Sequence, residues 1–178
     1  MKEYGSGKFY LYYEFSCPTR TQGWEIALAI SNNPTNDNGD GTCGTWEEKG
    51  VVITGYPSAS WTPRGNMDFV KGSDNQPIKH NGRYYAYWHG SNNGSYSRIY
   101  RGYSTDLVHW TEEGDILNNR DIPTAGISAS GNADHCVIEF KGKSYLIYTW
   151  NINDANVDPY IRIMIDSRPF SDLLKMRP

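Results

Sequence analysis

Two aspartates stand at the same distance ahead of two similar segments. Asp74 lies eight residues before Gly82 in the segment HNGRYYAYWHG, and Asp134 lies eight residues before Gly142 in the segment FKGKSYLIYTW. His135 directly follows the second aspartate. A pair of carboxylates, or a carboxylate with an imidazole, can supply the general base and the general acid of a hydrolytic reaction. Asp74, Asp134 and His135 therefore carry side chains that could do such chemistry, and the repeated aspartate ahead of a repeated segment is the most informative feature of the sequence.

The two segments belong to a sequence repeat. A third copy, GSGKFYLYYEF, stands in the same register near the start of the chain, with Gly7 as its glycine. The last strand of the first two units repeats as well, since Trp46 and Gly50 correspond to Trp110 and Gly114. Regular self-similarity of this kind determines the fold class and has to be recognised first.

Each unit consists of short β-favouring runs separated by turns. Aromatic residues make up 14% of the 178 residues, and the 18 glycines suit tight turns, so the composition favours short strands over helices. Four antiparallel strands in a unit are typical of a β-propeller blade. We predict one all-β domain of three blade units, at about 1–55, 73–120 and 132–178, of which the first and the last are incomplete. The Gly-, Pro- and Ser-rich residues 54–72 are predicted to be a connection.

Charge and cysteine content exclude several classes of function. The net charge of −3 argues against nucleic acid or an anionic membrane as the partner. No run reaches the roughly 20 apolar residues of a membrane span, and the N-terminal residues lack the apolar run of a signal peptide, which leaves the localisation open. The three cysteines form no CxxC pair, so we expect free thiols. Residues 36–47 resemble an EF-hand loop, but predicted strands flank them and favour a long turn.

Three segments resemble the five-bladed β-propeller glycoside hydrolases, above all family 43 and relatives such as the family 117 anhydrogalactosidases. They are SDNQPIKHNGRYYAYWHG, RGYSTDLVHWTEEGDIL and ADHCVIEFKGKSYLIYTW. They are similar to the family's recurrent Asp-Pro-x-Val-Ile-x-x-x-Gly-x-Tyr-Tyr-Leu strand pair and its Ser-x-Asp-Leu-x-x-Trp blade end. The resemblance implies hydrolysis of a glycosidic bond in a plant or algal polysaccharide or oligosaccharide. It also implies an axial pocket with an Asp base, a second Asp that tunes the pKa of the acid, and a Glu or His acid.

The resemblance suggests roles for the three candidates. Asp74 and Asp134 would lie at the axial ends of first strands, one as the base and the other as the pKa modulator, in either order; the structural alternative is that they hold turns. His135 would be the general acid, a ligand of the axial calcium that arabinanase-like members carry, or a buried histidine bonded to a neighbouring blade. No other cofactor is required. On a regular strand Asp134 and His135 would point to opposite faces, so that one of them would miss the pocket.

Six further residues are candidate contacts to a sugar: Glu14, Trp61, Arg64, Trp88, His89 and Trp150. Glu14 and His89 stand at matching positions at the ends of second strands, where they would either rim the pocket or face solvent. The tryptophans offer ring faces that stack on a pyranose, although packing between blades is the more common use of Trp. Arg64 would bind a hydroxyl or carboxylate group, or lie solvated in a loop.

Three blades do not close a propeller, which typically needs about 4–8. We therefore expect either a part of a longer propeller or a homo-oligomer that completes or covers the open blade edges. The sequence has no Glu-Gly-Pro segment where the family's acid would stand. The alternative to an enzyme is thus a carbohydrate-binding or assembly module without turnover, or an inactive fragment of a larger propeller enzyme.

Overall fold

The computed structural model describes residues 6–16, 24–34, 45–54, 64–71, 76–91, 97–117, 129–141, 143–152 and 160–166. Their regular secondary structure consists of strands, namely β1 (Phe9–Ser16), β2 (Trp24–Ser31), β3 (Glu47–Ile53), β4 (Arg64–Phe69), β5 (Lys79–His80), β6 (Arg83–Ser91), β7 (Ser97–Ser104), β8 (Thr111–Leu117), β9 (Ala129–Phe140), β10 (Lys143–Ile152) and β11 (Tyr160–Asp166). Within these ranges, no helix is long and apolar enough to cross a membrane.

The strands form two sheets. The first has the order β1-β2-β3, and the second runs β11-β10-β9-β7-β6-β4, with β5 paired to β6 and β8 paired to β7. The pairs between these strands are antiparallel, except that β7 and β9 meet through a single parallel pair, Ser97 with Gly131. The all-β prediction with propeller-type blades is confirmed. The exact division into blade units stays a prediction.

The repeat extends to the hydrogen-bond register. The β1–β2 and β6–β7 pairs share one register, and the β2–β3 and β7–β8 pairs carry the same two irregularities at equivalent places. Gly50 and Gly114 occupy equivalent positions there, with φ angles of 78° and 126° that side chains rarely adopt. Two units of different sequence therefore build the same backbone.

Residues 64–69 form a strand, so the prediction that 54–72 is only a connection was wrong. β4 pairs antiparallel with β6, and Gly65 lies opposite His89. The Gly, Pro and Ser content outweighed the short run from Met67 to Val70, in which apolar residues flank a single aspartate. β5 comprises only two residues, which pair with Arg83 and Tyr84 at the N-terminal end of β6.

Both faces of β6 are buried, because alternate side chains enter two different cores. Tyr84, Ala86 and Trp88 pack with β1 and β2, in a core that also contains the fully buried Leu28. Tyr85 and Tyr87 pack on the other side, with residues of β7, β9 and β10. This explains why residues 84–88 are aromatic apart from Ala86 and have no polar face.

The Ser-x-Asp-Leu segment is a turn that ends β7. Ser104 accepts a hydrogen bond from the N–H of Leu107 at 2.8 Å, and Asp106 accepts bonds from the N–H and the ring of His109 at 2.8 and 2.7 Å. Partial burial would raise the pKa of Asp106, but the hydrogen bonds outweigh it and hold that pKa well below its usual range. Ser31 ends β2 similarly, by accepting a bond from the backbone two residues on.

Candidate functional site

β4 links the two sheets. It contacts β1 and β2 of the first sheet, and β6 and β9 of the second sheet, to which it belongs. Asp68, near the C-terminal end of β4, accepts a hydrogen bond from the N–H of Val137 in β9 at 3.2 Å. The same carboxylate forms an ion pair with Lys71 at 2.5 Å, and its side chain is 16% exposed. Asp68 was not among the predicted site residues, because its segment was predicted to be a connection.

β9 carries a β-bulge at the candidate residues. Its register against β10 shifts by one between Ile147 and Thr149, so that Asp134 and His135 both lie opposite Tyr148. A bulge bends the strand and interrupts the alternation of side chains between the two faces. The regular strand on which Asp134 and His135 would have to separate is therefore not present.

His135 is buried, with 6% of its surface exposed. Its ring meets that of Tyr87 edge to face, with centroids 6.4 Å apart and an interplanar angle of 62°. Burial raises the pKa of Tyr87 above its usual range, and a hydrogen bond from Arg101 opposes that shift. Arg101 in turn forms a 2.6 Å ion pair with Glu113. A line of polar groups thus leads from β8 to the imidazole.

Glu14 and His89 are brought to the same end of β4. The Glu14 carboxylate accepts a hydrogen bond from the N–H of Asn66, while His89 pairs with Gly65 across the sheet. A Cβ at Gly65 would lie 2.6 Å from Oε1 of Glu14, so glycine allows this approach. Their contact with a sugar stays a prediction.

Two adjoining clefts run between β1 and β4. The larger, of about 370 Å³, is lined by Tyr10, Leu11, Tyr12, Met67, Asp68, Phe69, Lys71, Gln76 and Pro77. The smaller, of about 200 Å³, is lined by Tyr12, Tyr13, Glu14, Ile26, Asn66 and Met67. Asp74 lies outside the described residues, so its place in the site stays a prediction.

The remaining candidates fare differently. Trp88 is 0% exposed and its Nε1 donates to Glu112 at 3.1 Å, so it has no free ring face and the prediction of a sugar platform was wrong. Arg64 begins β4 instead of lying in a loop. Trp150 lies on β10, paired with β11. The side chains of Arg64 and Trp150, and the whole of Trp61, lie outside the described residues.

The described surroundings of His135 do not fit a calcium site. In the part of the chain that the structure describes, no group of three or more His, Cys, Asp or Glu could hold a metal ion. Calcium needs about 6–8 oxygen ligands, whereas the neighbour seen against the imidazole is the ring of Tyr87. An axial calcium stays a prediction, and no step below depends on it.

No family model and no curated protein matches the sequence. Solved structures do match. A family 117 glycoside hydrolase of the marine bacterium Zobellia galactanivorans has a TM-score of 0.63 at 22% identity, over 92% of this chain and 50% of that chain. An exo-1,5-alpha-L-arabinanase from a bovine ruminal metagenomic library has a TM-score of 0.59 at 16% identity, over 93% and 51%. The family 93 alpha-L-arabinofuranosidase of Fusarium graminearum has a TM-score of 0.55 at 16% identity, over 94% and 44%.

The chain has the fold of propeller glycoside hydrolases. The resemblance predicted from the sequence is thus confirmed. At 16–22% identity, such a likeness shows the fold alone. The chain spans about half the length of these three structures, between 44% and 51%. Activity and substrate therefore have to be argued from the site.

Proposed function

We propose that this chain belongs to a glycoside hydrolase that cleaves a glycosidic bond in a plant or algal polysaccharide or oligosaccharide. The observation that carries the proposal is the meeting of β4, with its carboxylate Asp68, and the β9 bulge at Asp134 and His135. Bulges are common next to active sites, where they redirect side chains. One similar structure is an arabinanase and another is an arabinofuranosidase in complex with arabinobiose. Arabinose-containing oligosaccharides are therefore the first substrates to test.

The proposed chemistry needs one proton donor and one carboxylate base. In hydrolysis with inversion, the acid protonates the glycosidic oxygen as its bond to the anomeric carbon breaks, and the base takes a proton from the attacking water. The two groups then stand about 6.5–9.5 Å apart; a separation of about 5–5.5 Å favours a covalent intermediate and retention. In the proposal His135 is the acid, and Asp74 and Asp134 are the base and the modulator of the acid's pKa.

Asp68 supports this arrangement without taking part in proton transfer. It binds the N–H of Val137, two residues after His135, and so holds the strand immediately beyond the bulge. The Lys71 ion pair balances its charge. Holding this segment in place matters, because a displacement of about 1 Å can lower the rate of a reaction about 100-fold. Glu14, His89 and the adjoining clefts would form the sugar-binding rim.

The test is turnover on aryl glycosides, beginning with α-L-arabinofuranosides, and on plant and algal oligosaccharides. We expect Asp74→Asn and Asp134→Asn each to lower kcat by at least about 100-fold, the contribution typical of a general acid or base. Glu47→Gln is the matched control, because this exposed carboxylate on β3 pairs only with Lys49 in the described contacts. Turnover that survives both aspartate changes would show that the site is assigned wrongly.

A carbohydrate-binding or assembly module without turnover is the second candidate, and the exposed apolar side chains are the observation that favours it. Exposed apolar side chains such as Leu11 (46%) and Phe140 (53%) would then contribute to contacts with further blades or with a second copy. Sugar binding without turnover would favour the module. Sedimentation of a well-folded, strictly monomeric chain would eliminate the homo-oligomer.

A further inference from the structure

The second unit contains a buried charge that the fold itself does not require. Arg101 on β7 is 4% exposed, and its Nε lies 2.6 Å from Oε2 of Glu113, whose side chain is 19% exposed. Burying a guanidinium is costly even when a carboxylate pairs with it, and well-packed apolar residues often serve equally well. A local reason for the pair therefore has to be sought.

The repeat supplies a comparison within the chain. Leu28 in the first unit and Ile163 in the third are the equivalents of Arg101, since each pairs with the residue five positions after the repeat glycine. Leu28 also faces the bulge glycine of its next strand, as Arg101 does. Apolar side chains thus occupy this position in two of three units. Arginine is a requirement of the second unit and not of the backbone.

What distinguishes the second unit is the bond of its tyrosine, because Tyr12, which stands at the position of Tyr87 in the first unit, donates instead to the carbonyl oxygen of Leu107. Arg101 hydrogen-bonds Tyr87, which is 3% exposed and lies directly opposite it on β6. The Tyr87 ring meets His135 at the β9 bulge. A series of contacting side chains therefore crosses β8, β7, β6 and β9 in that order: Glu113, Arg101, Tyr87 and His135. A planar guanidinium suits the central place because it donates in several fixed directions at once.

We propose that Arg101, fixed by Glu113, is a positioning residue that holds the Tyr87 ring against His135 and thereby sets the orientation of the imidazole. The inference rests on the proposed function, in which His135 is the acid, and names the groups that orient it. Arg101 itself touches no substrate in this scheme. Its effect on the imidazole is measurable without turnover, so the two proposals fail separately.

The experiment compares histidine ring signals by NMR of protein labelled with ¹⁵N-histidine, which contains only four histidines. His135→Gln assigns the signal of interest. The variant Arg101→Leu/Glu113→Gln installs the first unit's apolar residue and neutralises Glu113, which would otherwise lose its ion-pair partner. We expect the His135 signal to shift or broaden while those of His80 and His109 stay in place.

Arg83→Leu is the matched control, because Arg83 is an exposed arginine of the same unit that lies 4.1 Å over the Tyr103 ring. It should leave the His135 signal unchanged. Arg101→Lys keeps the charge but not the planar fork, and we expect a His135 signal between those of wild type and the double variant. An unchanged His135 signal in the folded double variant overturns the inference, as does a shift of all four signals together.

Turnover gives a second, independent measurement. In the double variant, kcat should fall with little change in KM, and by less than the loss in His135→Gln, for which about 100-fold or more is typical of a general acid. A rise in KM as large as the fall in kcat would overturn the positioning role. Absence of turnover in the wild type would remove the proposed function, and the NMR comparison would still decide the geometry.

Discussion

Gly102 on β7 stands where the fold leaves no room for a side chain, which makes Gly102→Ala a demanding test of the packing. An added Cβ would lie 2.3 Å from Cη2 of Trp88 and 2.6 Å from the carbonyl oxygen of Thr111, where ordinary contact begins at 3.4 Å. Trp88 is fully buried and its Nε1 is held by Glu112. The ring would have to move by about an ångström into a packed core.

Overpacking of this kind costs about 1–3 kcal/mol and sometimes more. Breaking the Trp88–Glu112 hydrogen bond adds about 1 kcal/mol. We therefore expect Gly102→Ala to lower the free energy of unfolding by about 3 kcal/mol, which for a chain of this length means a fall in Tm of roughly 6–12 °C.

The repeat provides the control. The first unit has Ala29 and Tyr13 at the positions of Gly102 and Trp88, so the smaller ring should accommodate the methyl group. Gly102→Ala/Trp88→Tyr should then be more stable than the sum of the two single changes predicts. Urea unfolding followed by tryptophan fluorescence, and thermal unfolding by near-ultraviolet circular dichroism, measure both. A loss below about 1 kcal/mol, or strict additivity, would refute the packing argument.

Three other changes follow from described contacts. Gly65→Ala should cost less than about 1 kcal/mol in the same unfolding assays, because its Cβ meets the flexible end of Glu14, but it should weaken sugar binding; a loss as large as that of the core glycine would contradict this. Asp106→Asn should lower the free energy of unfolding by about 1 kcal/mol at pH 7. Because folding lowers the pKa of Asp106, the carboxylate stabilises the fold above about pH 4, and this stabilisation is lost as the pH falls further. The difference in urea stability between the variant and wild type should therefore shrink at pH 3. Asp68→Asn should lower the pKa of the Cys136 thiol, because burial and the Asp68 carboxylate both raise it. With the other two cysteines replaced by serine, the reaction of Cys136 with a disulfide reagent should then begin at a lower pH. An unchanged pH dependence of this reaction would contradict the contact between Asp68 and Cys136.

The repeat could be predicted from glycine spacing because these glycines meet a local backbone requirement. Gly7 and Gly82 both have positive φ, 69° and 76°, at the turn before an aromatic strand. Residues other than glycine rarely adopt positive φ, so glycine recurs at these turns even where the surrounding sequence differs. The aromatic strands between the turns were equally readable, since β propensity and short length agree there.

β4 and the bulge could not be predicted in the same way, because both depend on partners distant in sequence. The six residues of β4 become a strand by pairing with β6 and contacting β9. The bulge at Asp134 exists only in the register of β9 against β10. The burial of Trp88 likewise follows from the packing of Gly102 and β8 around its ring, which no local pattern contains.

The bulge and its supports together bear on how an acid could be held at this site. Adjacent residues of a regular strand separate to opposite faces, whereas the bulge removes that constraint from Asp134 and His135. A bulge interrupts the hydrogen-bond ladder locally, so contacts from other strands are needed to fix the bulged segment. Here Asp68 binds the backbone two residues beyond His135, and Tyr87, held by Arg101, contacts its ring. Two supports from different strands thus restrain one irregular segment, which is the arrangement that a preorganised site requires.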